Sequence, residues 1–344
     1  LQALLDRGVD INARAKDGSS ALYAAVERGY ADAAKILLEH GADINVKRTM
    51  KDEKGREPLV AVAAASGSIE VTELLLKHGA DLRQYNVENC GIVFNAINGG
   101  RIDYVRWLQG RKGETYWNCK GGLTPLMQAV SAEDERLTKL LADPADINFR
   151  QVSGSTALHL AVAKGNAMLV KLLLENEADP KIRDKSGQYP LHECREHTNR
   201  EIFDMLLAAG SSLEQTDNAG RTLLFHVVTK GNRPLMEALQ QAGADLFVKD
   251  VDGNSLMVAG VASNSQEVIE WLVAHGLSIE SRNKTGKTPF MIAAQEGRYD
   301  MVRSLAEKGA QINSKDKNRQ TALGLASSYN HSETVKVLLE LGAK

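Results

Sequence analysis

The densest cluster of groups able to hold a metal or move a proton is His192-Glu193-Cys194-Arg195-Glu196-His197. A helical metal-binding histidine pair needs its two rings four residues apart, one turn along the same face. His192 and His197 are five apart, which turns them about 140° from each other around a helix, so the cluster reads as structural. Gly286-Lys287-Thr288 carries the ending of a phosphate-cradling loop, but that loop needs a glycine five residues earlier, and Ser281 stands there. The three cysteines, Cys90, Cys119 and Cys194, are an odd, sparse set without a CxxC spacing. Such a set argues against a disulfide framework and a structural zinc site, and for a reducing compartment. Cys90 and Cys119 have no histidine or acid partner at a repeated spacing, which argues against a thiol nucleophile. His40, His78 and His275 each precede a glycine that follows an apolar run; that is where a side chain caps the last carbonyls of a helix. The expectation is a chain with no catalytic residues, no metal site and no cofactor.

Composition narrows the class further. The 344 residues include 42 Lys and Arg against 44 Asp and Glu, a formal charge of -2. A general nucleic-acid binder would need a basic surplus to neutralise phosphates. No apolar run approaches the length of about 18 residues that spans a bilayer. Aromatic residues are 5% of the chain, so the core must be built from aliphatic side chains. The chain is expected to be cytoplasmic and monomeric.

The elements that position these residues recur at a fixed period. Glycines close apolar runs at Gly210, Gly243, Gly276, Gly309 and Gly342, each 33 residues after the last. A second series, Gly154, Gly187, Gly220, Gly253 and Gly286, keeps the same step. Two independent markers with one period define a repeat of about 33 residues, and roughly ten of them tile the chain. Within a unit, a turn glycine is followed two residues later by Thr or Ser, often then Pro, as in Gly286-Lys287-Thr288-Pro289 and Gly122-Leu123-Thr124-Pro125. Thr caps a helix and Pro suits its first position. A short apolar helix follows, then a second turn such as Lys164-Gly165-Asn166, then a second helix that ends at the other glycine, where a left-handed cap is easy.

This grammar closely resembles the ankyrin repeat, most clearly in Gly-Ala-Asp-Ile-Asn at 41–45, Thr-Ala-Leu-His at 156–159 and Thr-Pro-Phe at 288–290. The resemblance covers essentially the whole chain. It implies an all-α ankyrin-repeat solenoid of stacked helix-turn-helix units with hairpin-like turns, and a function in binding partner proteins on the concave face and turn tips. The domain reading is a single array over 1–344: a partial repeat over 1–14, then about ten repeats from 15 to 344, irregular between 48 and 150. The irregularities are specific. Four residues are inserted around Arg48 to Glu53, Asn89 and Arg319 replace turn glycines, and Asp143-Pro144-Ala145-Asp146 is one residue short. In the sixth unit Glu193 and Arg195 occupy places that are elsewhere apolar or small. A repeat array tolerates such lapses because each unit touches only its neighbours.

Counting from the turn glycines locates candidate binding residues. Four residues before each stand Arg14, Lys51, Tyr85, Asn118, Arg150, Arg183, Thr216, Lys249, Arg282 and Lys315. Arg150, Arg183, Lys249, Arg282 and Lys315 are therefore candidates for a basic edge that would suit an acidic segment of a partner. Asp184, Asp250 and Asp316 stand beside it and weaken that expectation. Six of the seventeen aromatic residues lie between Tyr85 and Trp117. Trp107 and Trp271 fall on second helices as core. Tyr85, Tyr116 and Trp117 fall in turn segments that are usually polar or small, where aromatic residues act as interface anchors.

The reading is a non-catalytic protein-interaction scaffold. Two others stay open: a recognition arm of a larger enzyme, channel, toxin or secreted effector, and a structural spacer without a ligand. The chain opens at Leu1 inside a second helix and stops at Lys344 where a unit would continue. This predicts a piece of a longer protein with frayed or covered ends.

Overall fold

In a computed structural model of the chain, residues 7–16, 18–45, 48–49, 56–196 and 200–344 are described. The opening residues 1–6, the ladder residue Lys51 and His197 lie outside them. Two compact units divide the chain, Leu1–Asp179 and Pro180–Lys344.

The first unit holds five helix pairs among its described residues, from Ala21–Glu27 with Ala31–Glu39 to Ala157–Lys164 with Ala167–Glu175. The second also holds five, from Pro190–Glu196 with Arg200–Ala208 to Ala322–Ser328 with Ser332–Glu340. Both units are thus helical. The inserted segment adds one antiparallel pair of two-residue strands, Arg48–Thr49 against Arg56–Glu57.

The start signals read from the sequence operate as caps. The hydroxyls of Ser20, Thr124, Thr222, Thr288 and Thr321 each accept a backbone N–H from the first turn of the helix that follows. Second helices are capped the same way by Ser68, Asn166, Asn232 and Ser265. Each such cap is worth about 1 kcal/mol. His40, His78 and His275 donate Nδ1–H to the carbonyls of Ile36, Leu74 and Trp271 at 2.8, 2.9 and 2.7 Å. They are C-terminal caps, as their position before glycine suggests.

Burial follows from the stacking. Leu59–Ser66 buries every residue from Leu59 to Ala64 because it packs on its own second helix and on first helices of neighbouring repeats. Its partner Ile69–Lys77 buries one stripe, Val71, Thr72 and Leu75. Turn conformation is kept where glycine is missing: Asn89 and Arg319 hold φ of 57° and 63°. For Arg319 the left-handed backbone costs about 1 kcal/mol, the clash a Cβ makes with its own carbonyl.

One expected helix is altered. The first helix of the sixth repeat, Pro190–Glu196, is a 3₁₀ helix. Polar Glu193 and Arg195 stand where the other repeats carry apolar or small residues, and the tighter helix replaces the packed α form.

The second unit also contains a buried carboxylate, Asp217, only 5% exposed. It accepts the Arg221 backbone N–H at 2.9 Å and the Arg221 Nε–H at 3.0 Å, and its Oδ2 lies 3.1 Å from His226 Nε2. Burial alone would raise its pKa. The Arg221 bonds and charge, with His226, outweigh that and hold it below 3.8. A carboxyl depressed in the folded state stabilises the fold above its unfolded pKa and loses that contribution as pH falls through the folded value. Asp217→Asn should cost about 1–3 kcal/mol at pH 7. Denaturant titrations of both proteins should show the gap narrowing once pH drops below about 4; a gap of constant size would refute the assignment.

Candidate functional site

The hairpin-like turns are stapled to one another through their backbones. In the second unit, Asn218, Val251, Lys284 and Lys317 donate their N–H to Ser186, Ala219, Asp252 and Thr285 at 2.8–3.0 Å. In the first unit Val152 donates to Gly121 at 2.9 Å. Inside the five turns of the second unit the Asp or Asn three residues before the turn position closes the loop with its side chain. Asp250 Oδ1 accepts from Asp252 and Asn254, and Asp316 Oδ1 accepts from Asn318 and Gln320. Asp184 takes the Gln188 N–H. Sequence reasoning weighed these acids only against the basic edge. The structure uses them inside the turns, and the recurrence of Asp or Asn every 33 residues, at 184, 217, 250, 283 and 316, was the signal.

The basic candidates divide by what they hold. Arg150, Arg183, Lys249, Arg282 and Lys315 are all exposed. Arg282 donates Nη1–H to the carbonyls of Gly286 and Lys315 at 2.7 and 2.8 Å, closing its own turn and fastening it to the next. Arg150 donates Nε–H to the Gly154 carbonyl at 3.3 Å. Arg183 reaches Asn218 Oδ1 at 2.8 Å. The backbone of Lys249 bridges to Ser255.

The aromatic candidates fall into two groups. Tyr85 and Tyr116 stack, with ring centres 4.5 Å apart and planes 10° from parallel. They are 44% and 36% exposed, and the Tyr85 hydroxyl donates to Asn118 Oδ1 at 3.3 Å. Two consecutive turns build this surface. Gly91 N–H donates to the Asn118 carbonyl at 3.0 Å, Lys120 N–H donates to Asn89, and Arg83 reaches the Gly113 carbonyl at 2.7 Å. Trp117 is apart from that stack. Half-buried, it lines a cavity of about 390 Å³ with Leu123, Pro125, Leu126, Leu141 and Phe149. The cavity opens beside the segment Asp143–Asp146, which the sequence marked as one residue short; its lining was not foreseen. Trp271 is 4% exposed, as expected of core. Trp107 is only half-buried, and the Arg111 guanidinium lies 4.7 Å from its ring centre.

The cysteine expectation is corrected. Cys90 and Cys119 are joined as a disulfide. They stand 29 residues apart in consecutive turns, where the two residues form an isolated antiparallel bridge. A count of cysteines does not register such cross-turn pairing. Cys194 is the free, buried thiol; burial, with the charge of Glu193 adding to it, pushes its pKa up to about 12. A thiol in that state is a weak nucleophile at neutral pH.

The polar clusters have structural duties. His159 Nδ1 accepts the Thr156 N–H at 3.1 Å, completing a capping box, and His192 takes the Tyr189 N–H at the same distance. Lys287 of the phosphate-loop look-alike donates to Gln295, while Thr288 caps its helix. Among the described residues no group of His, Cys, Asp and Glu is arranged to hold a metal, and no helix is long and apolar enough to cross a membrane.

A periodic helix pair, turns bonded to their neighbours through the backbone and Ser- or Thr-capped first helices define an ankyrin array. The ankyrin repeat family model matches in overlapping segments from 1–86 to 256–344. The chain belongs to the ankyrin repeat family. It is 32% identical over 166 residues to a putative ankyrin repeat protein of fowlpox virus, covering 46% of this chain and 48% of that protein. It is 29% identical over 175 residues to an L-asparaginase of Dirofilaria immitis, covering 51% of this chain but 23% of the enzyme. The chain thus spans a quarter to a half of the length of these relatives. Among solved structures, the ankyrin repeat domain of Bcl-3 superposes with a TM-score of 0.50 at 26% identity, over 64% of this chain and 100% of that one. The human ASB11 ankyrin repeat domain gives 0.54 at 20% identity, over 64% and 99%.

At Gly91 the tyrosine-bearing turns leave no room for a side chain. A Cβ there would collide with the carbonyl oxygen of Tyr116. Gly91→Ala should force the two turns apart and cost about 1–3 kcal/mol, as overpacking does. Thermal unfolding checks this; an unchanged midpoint would show that the turns are not held at this spacing.

Proposed function

We propose that this chain is a non-catalytic scaffold that binds a partner protein through its turn tips and the first-helix side of its repeats. The observation that carries the reading is the Tyr85–Tyr116 stack. Two large aromatic side chains are held rigidly face to face at the outside of a turn and left exposed. Stacking fixes their rotamers before any partner arrives, so binding loses less side-chain entropy. Such rigid aromatic residues are the usual anchors of protein interfaces. Family membership supports the same reading, as the family's arrays serve as interaction modules. Residence inside the cell is proposed on the family resemblance alone.

In the second unit, Lys249 and Lys315 form the basic part of the surface, and we assign them to an acidic segment of the partner. Arg282 is excluded from that role because its guanidinium already joins two turns. The partial matches favour a second reading, that the array is the recognition arm of a larger protein: the asparaginase extends far beyond the matched segment.

Tyr85→Ala combined with Tyr116→Ala should lower affinity for a captured partner at least roughly thirtyfold, the loss of about 2 kcal/mol typical of one anchor, and leave helicity by circular dichroism unchanged. Lys249→Glu with Lys315→Glu should weaken binding in a salt-dependent way. Full retention of the partner by the tyrosine variant would refute the reading.

A further inference from the structure

The cavity beside Trp117 is a built feature of the first unit, distinct from the exposed tyrosine stack. Its volume of about 390 Å³ lies at the lower end of the range of ligand sites, roughly 300–1,000 Å³. Much of its lining is apolar: Leu126, Leu141 and Pro125 are buried, Trp117 is half-buried and Phe149 is exposed. Apolar walls of this kind gain most from a large apolar group that displaces water.

The rim carries three charges. Lys112 Nζ lies 3.8 Å from the Asp143 carboxylate and 5.6 Å from the centre of the Trp117 ring. Asp146, also at the rim, has no ion-pair partner among the described residues. The rim is thus one negative charge in excess, and a cation is its complement. Two amides stand at the same mouth. Gln109 donates Nε2–H to the Leu140 carbonyl, and its Oε1 has no partner among the described residues. Asn118 uses Oδ1 to accept from Tyr85, and its Nδ2 hydrogens have no partner among the described residues. One open acceptor and one open donor are what a passing peptide unit can satisfy.

We propose that this cavity is a binding site for an extended segment of a partner protein in which an aromatic side chain stands next to Arg or Lys. The aromatic ring enters between Trp117 and Phe149, the neighbouring cation pairs with Asp146, and the segment's backbone meets Gln109 and Asn118. The assignment deepens the scaffold reading and rests on it. Its charge requirement is opposite to that of the basic residues of the second unit, so the two surfaces select different segments.

The test is a titration of the ¹⁵N-labelled chain with the probe peptide acetyl-Phe-Arg-amide, followed at the indole N–H signals of Trp107, Trp117 and Trp271. Trp117→Phe identifies the relevant signal. The expected result is a saturable shift of the Trp117 indole at millimolar peptide with the Trp271 signal unmoved. Asp146→Asn should weaken binding roughly threefold, the worth of an exposed ion pair. Leu123→Trp, which fills the cavity, should abolish it. Acetyl-Ala-Arg-amide and acetyl-Phe-Glu-amide should both bind more weakly than the probe. A Trp117 signal that does not move with acetyl-Phe-Arg-amide overturns the site. Phenethylamine binding as tightly as the peptide overturns the peptide assignment in favour of a small amine. If the probe fails while Tyr85→Ala with Tyr116→Ala still abolishes partner capture, the cavity falls and the scaffold reading stands. If the probe binds while that variant captures normally, the cavity stands and the tyrosine anchor falls.

Discussion

Two short helices cannot bury their own apolar faces, and everything else in this protein depends on a neighbouring repeat doing it for them. The second helices bury single stripes, such as Leu169, Val170 and Leu173 in Ala167–Glu175. The first helices, such as Leu59–Ser66, are buried nearly all round. That burial works only if each repeat meets the next at the same spacing. The backbone bonds between turns, from Lys317 to Thr285 and from Lys284 to Asp252, fix that spacing. Polar side chains reach across in the same register: Asn148 Oδ1 accepts from Asp179, Glu280 Oε1 accepts from Gln311, and Asn313 Oδ1 accepts from Lys344.

Under that constraint, irregular repeats are where the surface departs from the pattern. Where a loop is one residue short, at Asp143–Asp146, the neighbouring turn leaves the cavity lined by Trp117 and Phe149. Where a turn lacks its usual glycine, at Asn89, two turns close on each other through Gly91 and Cys90. The tyrosines stack on top of that junction. The turns of the second unit use their Asp and Asn side chains to close themselves.

Much of the fold was legible because its signals are local and periodic. Thr288 before Pro289, Gly286 before both and His275 before Gly276 each fix a cap or turn by short-range chemistry. The less legible parts depend on pairs far apart in sequence. Nothing near Cys90 announces Cys119, and nothing near Trp117 announces Phe149, because only the stacking brings them together. Arg282 and Lys249 looked alike by position. The difference is one guanidinium fork that fits two carbonyls, which the sequence does not display. The sixth repeat is an intermediate case: its polar residues signalled a lapse but not the 3₁₀ form it takes.

The central claim is that protein recognition is concentrated on the turns that carry Tyr85 and Tyr116. Site-specific photocrosslinking tests it most directly, with a benzophenone amino acid placed at Tyr116 and, as a control, at Tyr329, which is also exposed. In a cell extract, irradiation should give a discrete protein adduct from position 116 and none from position 329. Equal adducts from both positions, or none from 116, would contradict the account.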